Sequence, residues 1–446
     1  MRTHNHLTFN PMKTNIRLFT LILAVVALAS CRDQYTEVFT ANSPLYMSYE
    51  ELRNAVKPSA PRELENPGKI YFKDNTIFVV EELKGFHVID VANPASPQKK
   101  AFVEVPGCVD IAVKENILYA DSYVDLVALD VSDLNNIRQV KRIEEVFPYS
   151  VPPADNDYRL AEVDKEKGVV TGWEIKKIRQ EMEYEYYPVY PIWYNYAEKM
   201  DGAYYAGLNG SSGVGGSTGT SFGVGGSMAR FGLYGDYLYT VDNSTLYMFD
   251  VKTPATPSSI GKQNVGWQVE TMFVYGDHMF FGTTTGMLIF DLKVPTVPQY
   301  VASFNHATSC DPVVIADGYA YVTLRSGASC GNRNASINRL DVIKLSADYK
   351  NNSLVMSYPM HNPYGLGIDG DILFLCDGDA GLKIYDIADK MVIDSHRIAN
   401  FPGIKTYDVI PLNNYLFMIG DDGFYLYSYT NLQDIKQLSH IPVQKK

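Results

Sequence analysis

Acidic side chains recur where they could bind a cation or a charged ligand. Asp110, Glu270, Asp311 and Asp408 each stand just before a short apolar run. Asp121, Asp242, Asp377, Asp379, Asp421 and Asp422 fall in turns shortly after such runs. Carboxylates converging on one mouth would supply the oxygen ligands that Ca²⁺ or another hard cation takes. They would also attract a cationic ligand. Asp is equally a favoured turn residue whose carboxylate accepts from nearby backbone N–H groups, so both uses fit. Asp377-Gly378-Asp379 alone is too short for a calcium loop. Arg325, Tyr364 and Asp377 fall in the same set of loops and are binding candidates.

Other reactive types are scattered. Gly219-Thr220-Ser221-Phe222-Gly223 matches GxSxG by letters. It lacks the preceding strand and following helix that a nucleophile elbow needs. The histidines are not at ligand spacings, and no Gly-Lys-Ser/Thr phosphate loop occurs. No catalytic residue is assigned. Cys310 and Cys330 fall in two loops of one repeat. A disulfide between them would close a 21-residue loop, worth about 3 kcal/mol in the chain-entropy model. Cys108 and Cys376 lie in or near strands and read as buried thiols. Residues 184–205 are dense in aromatics, among them Trp193 and Tyr194. Such rings can stack on sugars or partner surfaces, or simply anchor their own segment. Residues 207–227 are Gly/Ser/Thr-rich and uncharged, as a flexible or tightly pressed loop would be.

These residues hang on a repeat. FHVIDVANP (86–94), LVALDVSDL (126–134), LYMFDVKTP (246–254), MLIFDLKVP (287–295), LDVIKLSAD (340–348), LKIYDIADK (382–390) and FYLYSYTNL (424–432) align. The aligned position is Asp90, Asp130, Asp250, Asp291, Lys344, Asp386 and Ser428, at spacings of 40, 120, 41, 53, 42 and 42. The interval of 120 is one repeat plus an insert; the interval of 53 carries a lengthened loop. Each unit has four short β-branched or aromatic runs separated by Gly/Asp/Pro turns, which spells four strands. Seven such units predict an all-β, seven-bladed β-propeller spanning 67–443. The blades are expected near 67–106, 107–145, 228–264, 268–305, 310–359, 363–400 and 404–443. Residues 31–66 form a tether with a short helix opened by the capping box Ser48-x-x-Glu51. The insert, 146–227, lies between blades 2 and 3. Leu160–Val163 and Val169–Ile175 around Asp164–Gly168 suggest a charged hairpin there. In a propeller, the insert and the long loop of blade 5 crown the same face as the acids, and loops on a rigid scaffold carry function.

The repeated V-I-D-V-x-N-P, L-D-V-S-D and I-F-D-L-K runs resemble the LVIVD-repeat lipoproteins of Bacteroidetes-type bacteria. The resemblance implies a propeller on the cell envelope and brings no catalytic chemistry with it.

The N-terminus carries an address. Lys13 and Arg17 precede the apolar run Leu21–Leu28, and small residues follow it. That is a signal peptide over 1–30, too short to span a bilayer. Leu28-Ala29-Ser30-Cys31 resembles a bacterial lipobox, with Cys31 the lipidated residue. Cleavage would remove Arg2, Lys13 and Arg17 and take the net charge from −12 to −15. An acidic chain is a poor partner for nucleic acid, whose non-specific binding rests on neutralising phosphates. The expectation is therefore a binding or interaction module, tethered to the outer membrane by lipid alone. Its ligand would be a glycan, a peptide or an envelope protein at the loop-crowned face. The alternative is a metal-dependent hydrolase or lactonase-like propeller that uses the acids at the mouth.

Overall fold

The computed structural model describes residues 35–182, 224–225, 227, 229–305, 312–325 and 337–444. By chain contacts these fall into two compact units. One holds 35–45, 154–163 and 172–182; the other holds the remainder.

The larger unit contains seven antiparallel four-stranded blades at 67–104, 111–143, 231–264, 269–305, 313–359, 366–401 and 406–442. The blades pack side by side, and the first strand of each touches the first strand of the next. The seventh returns to the first, so the ring closes. Closure is reinforced where the segment before blade 1 meets the segment after blade 7: Leu64 bridges Val443, and the Gln444 N–H donates to Leu64 O at 2.8 Å. The strand Lys57–Ser59 covers the outer edge of blade 1 by pairing with Gln98–Glu104, which removes an edge open to association.

The repeat grammar has two structural causes. The repeated Asp ends the third strand of five blades by accepting the N–H two residues on. Asp90, Asp130, Asp250, Asp291 and Asp386 do so at 2.6–3.0 Å. Such Asx turns hold the chain as it swings to the outer strand. Ser428 replaces Asp in blade 7 and keeps the geometry weakly, with Thr430 N at 3.5 Å from its Oγ. The second cause is an aromatic at the third position of each second strand: Phe78, Tyr119, Tyr239, Phe280, Tyr321, Phe374 and Phe417. All seven are buried, each contributing about 1.5–3 kcal/mol by area. Tyr119 and Tyr239 also donate to Pro254 O and Pro295 O of the following blade, at 2.9 and 2.8 Å.

The helix Tyr49–Asn54 has the expected capping box, with Ser48 and Glu51 exchanging hydrogen bonds. The expected hairpin within the insert is not formed. Residues 165–167 make a 3₁₀ turn capped by Asp164, and the strand Val169–Met182 pairs instead with Tyr35–Met47. Gly168 decides the turn. Its φ is +114°, and a Cβ there would lie 2.1 Å from Met47 O. The tether region is thus partly strand. In the smaller unit, the Asn42 side chain donates to Asp155 O and Tyr158 O and accepts from Asp155 N. Among the described residues no helix is long and apolar enough to cross a membrane.

Candidate functional site

Strand register fixes which residues face one another at the channel mouth. Counting back four residues from the end of each first strand gives Lys69, Asp110, Arg230, Thr271, Pro312, Gly365 and Asp408. The pairings of Thr271 with Gly282 and of Asp408 with Ile419 agree with this register. One expected acid, Glu270, therefore stands one residue off the ring, just before Thr271. Asp311 lies outside the described residues. The ring also carries two cations that a search for acids overlooks. The repeat alignment itself could have found Lys69 and Arg230, because both occupy the Asp110 position.

The ring acids are engaged internally. Asp110 is buried, and its Oδ2 accepts from Lys69 Nζ at 2.8 Å, Arg230 N at 2.5 Å and Phe231 N at 3.3 Å. Its Oδ1 accepts from Ile111 N at 2.8 Å. Asp408 is fully buried; Oδ1 accepts from Val409 N at 2.7 Å, and Oδ2 has no partner. Burial raises the Asp408 carboxyl well above the usual range, and neighbouring Lys69 opposes the shift.

The returning end of the insert lies against inner strands of the ring. Val224 and Gly225 pair with Phe72 and Tyr71 of blade 1. Ala229 O accepts from Met272 N of blade 4 at 2.8 Å. Ser227 Oγ lies 3.5 Å from Leu366 N of blade 6. The end of the Gly-rich tract thus touches inner strands around the ring. Gly225 is needed for the close approach, since a Cβ would meet the Tyr71 ring at 2.7 Å.

The accessible feature lies beside the channel. A cleft of about 90 Å³ opens between blades 2 and 3, where the insert leaves the propeller. Asp110, Asp121 and Tyr123 of blade 2 wall it, with Phe147, Pro148 and Ser150 of the insert root and Arg230, Thr240, Asp242 and Tyr247 of blade 3. Phe147 packs edge-on against Tyr247, with centroids 5.4 Å apart. Tyr247 donates to Asp242 Oδ2 at 2.8 Å, and Asp242 Oδ1 accepts from Ser244 N and Thr245 N. Asp121 Oδ1 accepts from Val109 N and Asp110 N, both at 2.9 Å. Burial nevertheless pushes the Asp121 carboxyl up to about 6. Thr240 is buried, and its Oγ1 has no partner.

The remaining candidates are placed as follows. Arg325 is buried with its guanidinium over the Tyr364 ring, 4.2 Å from the centroid. Burial lowers its pKa. Tyr364 is buried too, edge-on to Tyr407. Asp377 is fully buried and accepts from His361 N, Asn362 N and Lys383 Nζ. Its carboxylate organises a loop. Asp421 and Asp422 accept from Tyr407 and Tyr425. Trp193, Tyr194, Cys31, Cys310 and Cys330 lie outside the described residues. Among the described residues no three His, Cys, Asp or Glu side chains converge to hold a metal ion.

The family model for the LVIVD repeat matches residues 69–104 and 108–143, the first two blades. The chain carries LVIVD repeats. In this LVIVD-repeat chain the matched segments supply Asp110, Asp121 and Tyr123 on one wall of the cleft, with Lys69 paired to Asp110 behind it. Among solved structures it is similar to a putative 6-phosphogluconolactonase from Bacteroides uniformis, at 9% identity and TM-score 0.50, covering 85% of this chain and 99% of that one. It is also similar to Sqt1 of Saccharomyces cerevisiae, at 5% identity and TM-score 0.49, covering 91% and 89%. BamB from Moraxella catarrhalis matches at 10% identity and TM-score 0.44, covering 78% and 79%. At 9% identity the likeness to the first of these shows the fold alone. No functionally curated protein matches the chain.

Proposed function

We propose that this LVIVD-repeat propeller is a binding module, held at the cell envelope by a lipid on Cys31, that takes its ligand in the cleft between blades 2 and 3. The observation that carries this reading is the cleft's make-up. Three chain segments bring aromatic rings and charged groups to one concave spot, which is how small-ligand and peptide-end sites are built. The insert root forms part of its wall, so the one large departure from the repeat is joined to the site. The ring acids favour this reading over a hydrolase. Asp110 is spent on Lys69 and backbone N–H groups, and the insert's return pairs with the inner strand of blade 1.

The test is binding of the mature chain to arrays of envelope glycans and short peptides, repeated with Phe147→Ala and Tyr247→Ala. Retained folding with loss of the strongest signals supports the cleft. Unchanged signals in both variants overturn it.

A further inference from the structure

We infer that the cleft recognises a primary ammonium group carried on a small apolar or aromatic body. This deepens the binding reading above and rests on it. Two oxygens on the cleft wall can each accept a hydrogen bond from a ligand. Thr240 is 2% exposed, and its Oγ1 has no partner. A buried hydroxyl left unmatched costs about 1–3 kcal/mol, which a ligand can recover. Asp121 uses only Oδ1, on Val109 N and Asp110 N, and its Oδ2 makes no hydrogen bond among the described residues. An ammonium offers three donors in a compact head, enough to serve both. The rings of Phe147 and Tyr247 supply faces that attract a cation and pack an apolar body.

Charge favours a cation. The cleft wall holds Asp110, Asp121 and Asp242 against Arg230, with Lys69 paired to Asp110 behind it. That leaves one negative charge in excess. The Arg230 guanidinium is engaged with Val269 O at 3.2 Å.

The site carries a pH dependence. Asp121 faces Asp110, Lys69 and the Cys108 thiol, and shares the cleft with Arg230 and Asp242. Its carboxyl, pushed up to about 6 by burial, is ionised at pH 7.5 and protonated at pH 5. Affinity for an ammonium therefore falls as the pH drops through that value.

The probes are 4-fluorobenzylamine and 4-fluorobenzyl alcohol, alike in shape and different in charge, titrated into the full mature chain and followed by ¹⁹F line broadening. At pH 7.5 the amine should bind about tenfold more tightly than the alcohol, the factor that one well-placed ionic contact of about 1.4 kcal/mol gives. The preference should vanish at pH 5 and in Asp121→Asn, while Thr240→Val weakens the amine at both pH values. Equal binding of amine and alcohol, sensitive to Tyr247→Ala, overturns the ammonium class and leaves the cleft reading standing. Binding of the amine unchanged by Asp121→Asn, Thr240→Val and Tyr247→Ala places it elsewhere and overturns both. Binding of neither probe overturns the ammonium class.

Discussion

Lys69 Nζ sits 2.8 Å from Asp110 Oδ2, both side chains about 6% exposed, and the pair joins the inner strands of blades 1 and 2 at the mouth of the channel. The same carboxylate oxygen receives the backbone N–H groups of Arg230 and Phe231 at the start of blade 3. One aspartate thus ties three blades together where the insert interrupts the repeat.

Removing one partner of such a buried pair costs about 3–5 kcal/mol, because the other charge stays buried alone. Asp110→Ala should lower the urea midpoint by a matching amount, and Lys69→Met should do likewise. The double variant Lys69→Met/Asp110→Asn should recover part of the loss. Two single variants as stable as the parent would show that the pair does not hold the ring.

Asp408 behaves in the opposite sense. Burial raises its carboxyl well above the usual range. A group whose folded pKa exceeds its unfolded value contributes stability that is full below the unfolded value and lost as pH rises through the folded one. Asp408→Asn keeps the shape and never ionises. Its stability relative to the parent should therefore climb as pH rises above the usual carboxylate range toward the raised folded value, by about 1.4 kcal/mol per pH unit within that window. A difference independent of pH would contradict the assignment.

Lys114 bridges blades 2 and 3 from the other end of their first strands. Its buried Nζ donates to Gly235 O, Asp236 Oδ1 and Val251 O at 3.0–3.1 Å. Lys114→Met fills the space and leaves Val251 O, the acceptor on a buried residue, unmet at about 1–3 kcal/mol, while Gly235 and Asp236 are exposed and can turn to water. Loss of protection from hydrogen exchange should appear first in blades 2 and 3. Uniform loss around all seven blades would show that this lysine has no local role.

Backbone close approach sets a further limit. Gly85, Gly381 and Gly423 open the third strands of blades 1, 6 and 7 or immediately precede them, with positive φ. A Cβ at these positions would come within 1.9–2.2 Å of a carbonyl on the outer strand. Gly423→Ala should cost about 1–3 kcal/mol for the backbone conformation, plus the displacement of Ile441. A melting curve unchanged from the parent would refute this.

Much of the fold was legible because each blade repeats one local chemistry. The Asp that ends the third strand, the aromatic of the second strand and the Pro-bearing loop can be read from Asp90, Phe78 and Asn93-Pro94 alone. The seven blades lie where the spacing puts them. The site was less legible, for three physical reasons. Ring positions are set by strand register, so Glu270 fell one residue out and Lys69 and Arg230 went unseen. A carboxylate's use depends on what the fold brings to it, as Asp377 and its Lys383 partner show. The cleft joins Asp121, Phe147 and Thr240 from separate segments, and no local pattern connects them. The strand Val169–Met182 likewise chose a partner far earlier in the chain, over the nearer one that a hairpin would use.

The most direct test of the binding cleft is hydrogen–deuterium exchange of the mature chain with and without the best ligand from the arrays. Ligand-dependent protection concentrated in 107–123, 147–150 and 240–247 is the expected result. Protection confined to other loops, such as those around Arg325 and Tyr364, would contradict the placement of the site.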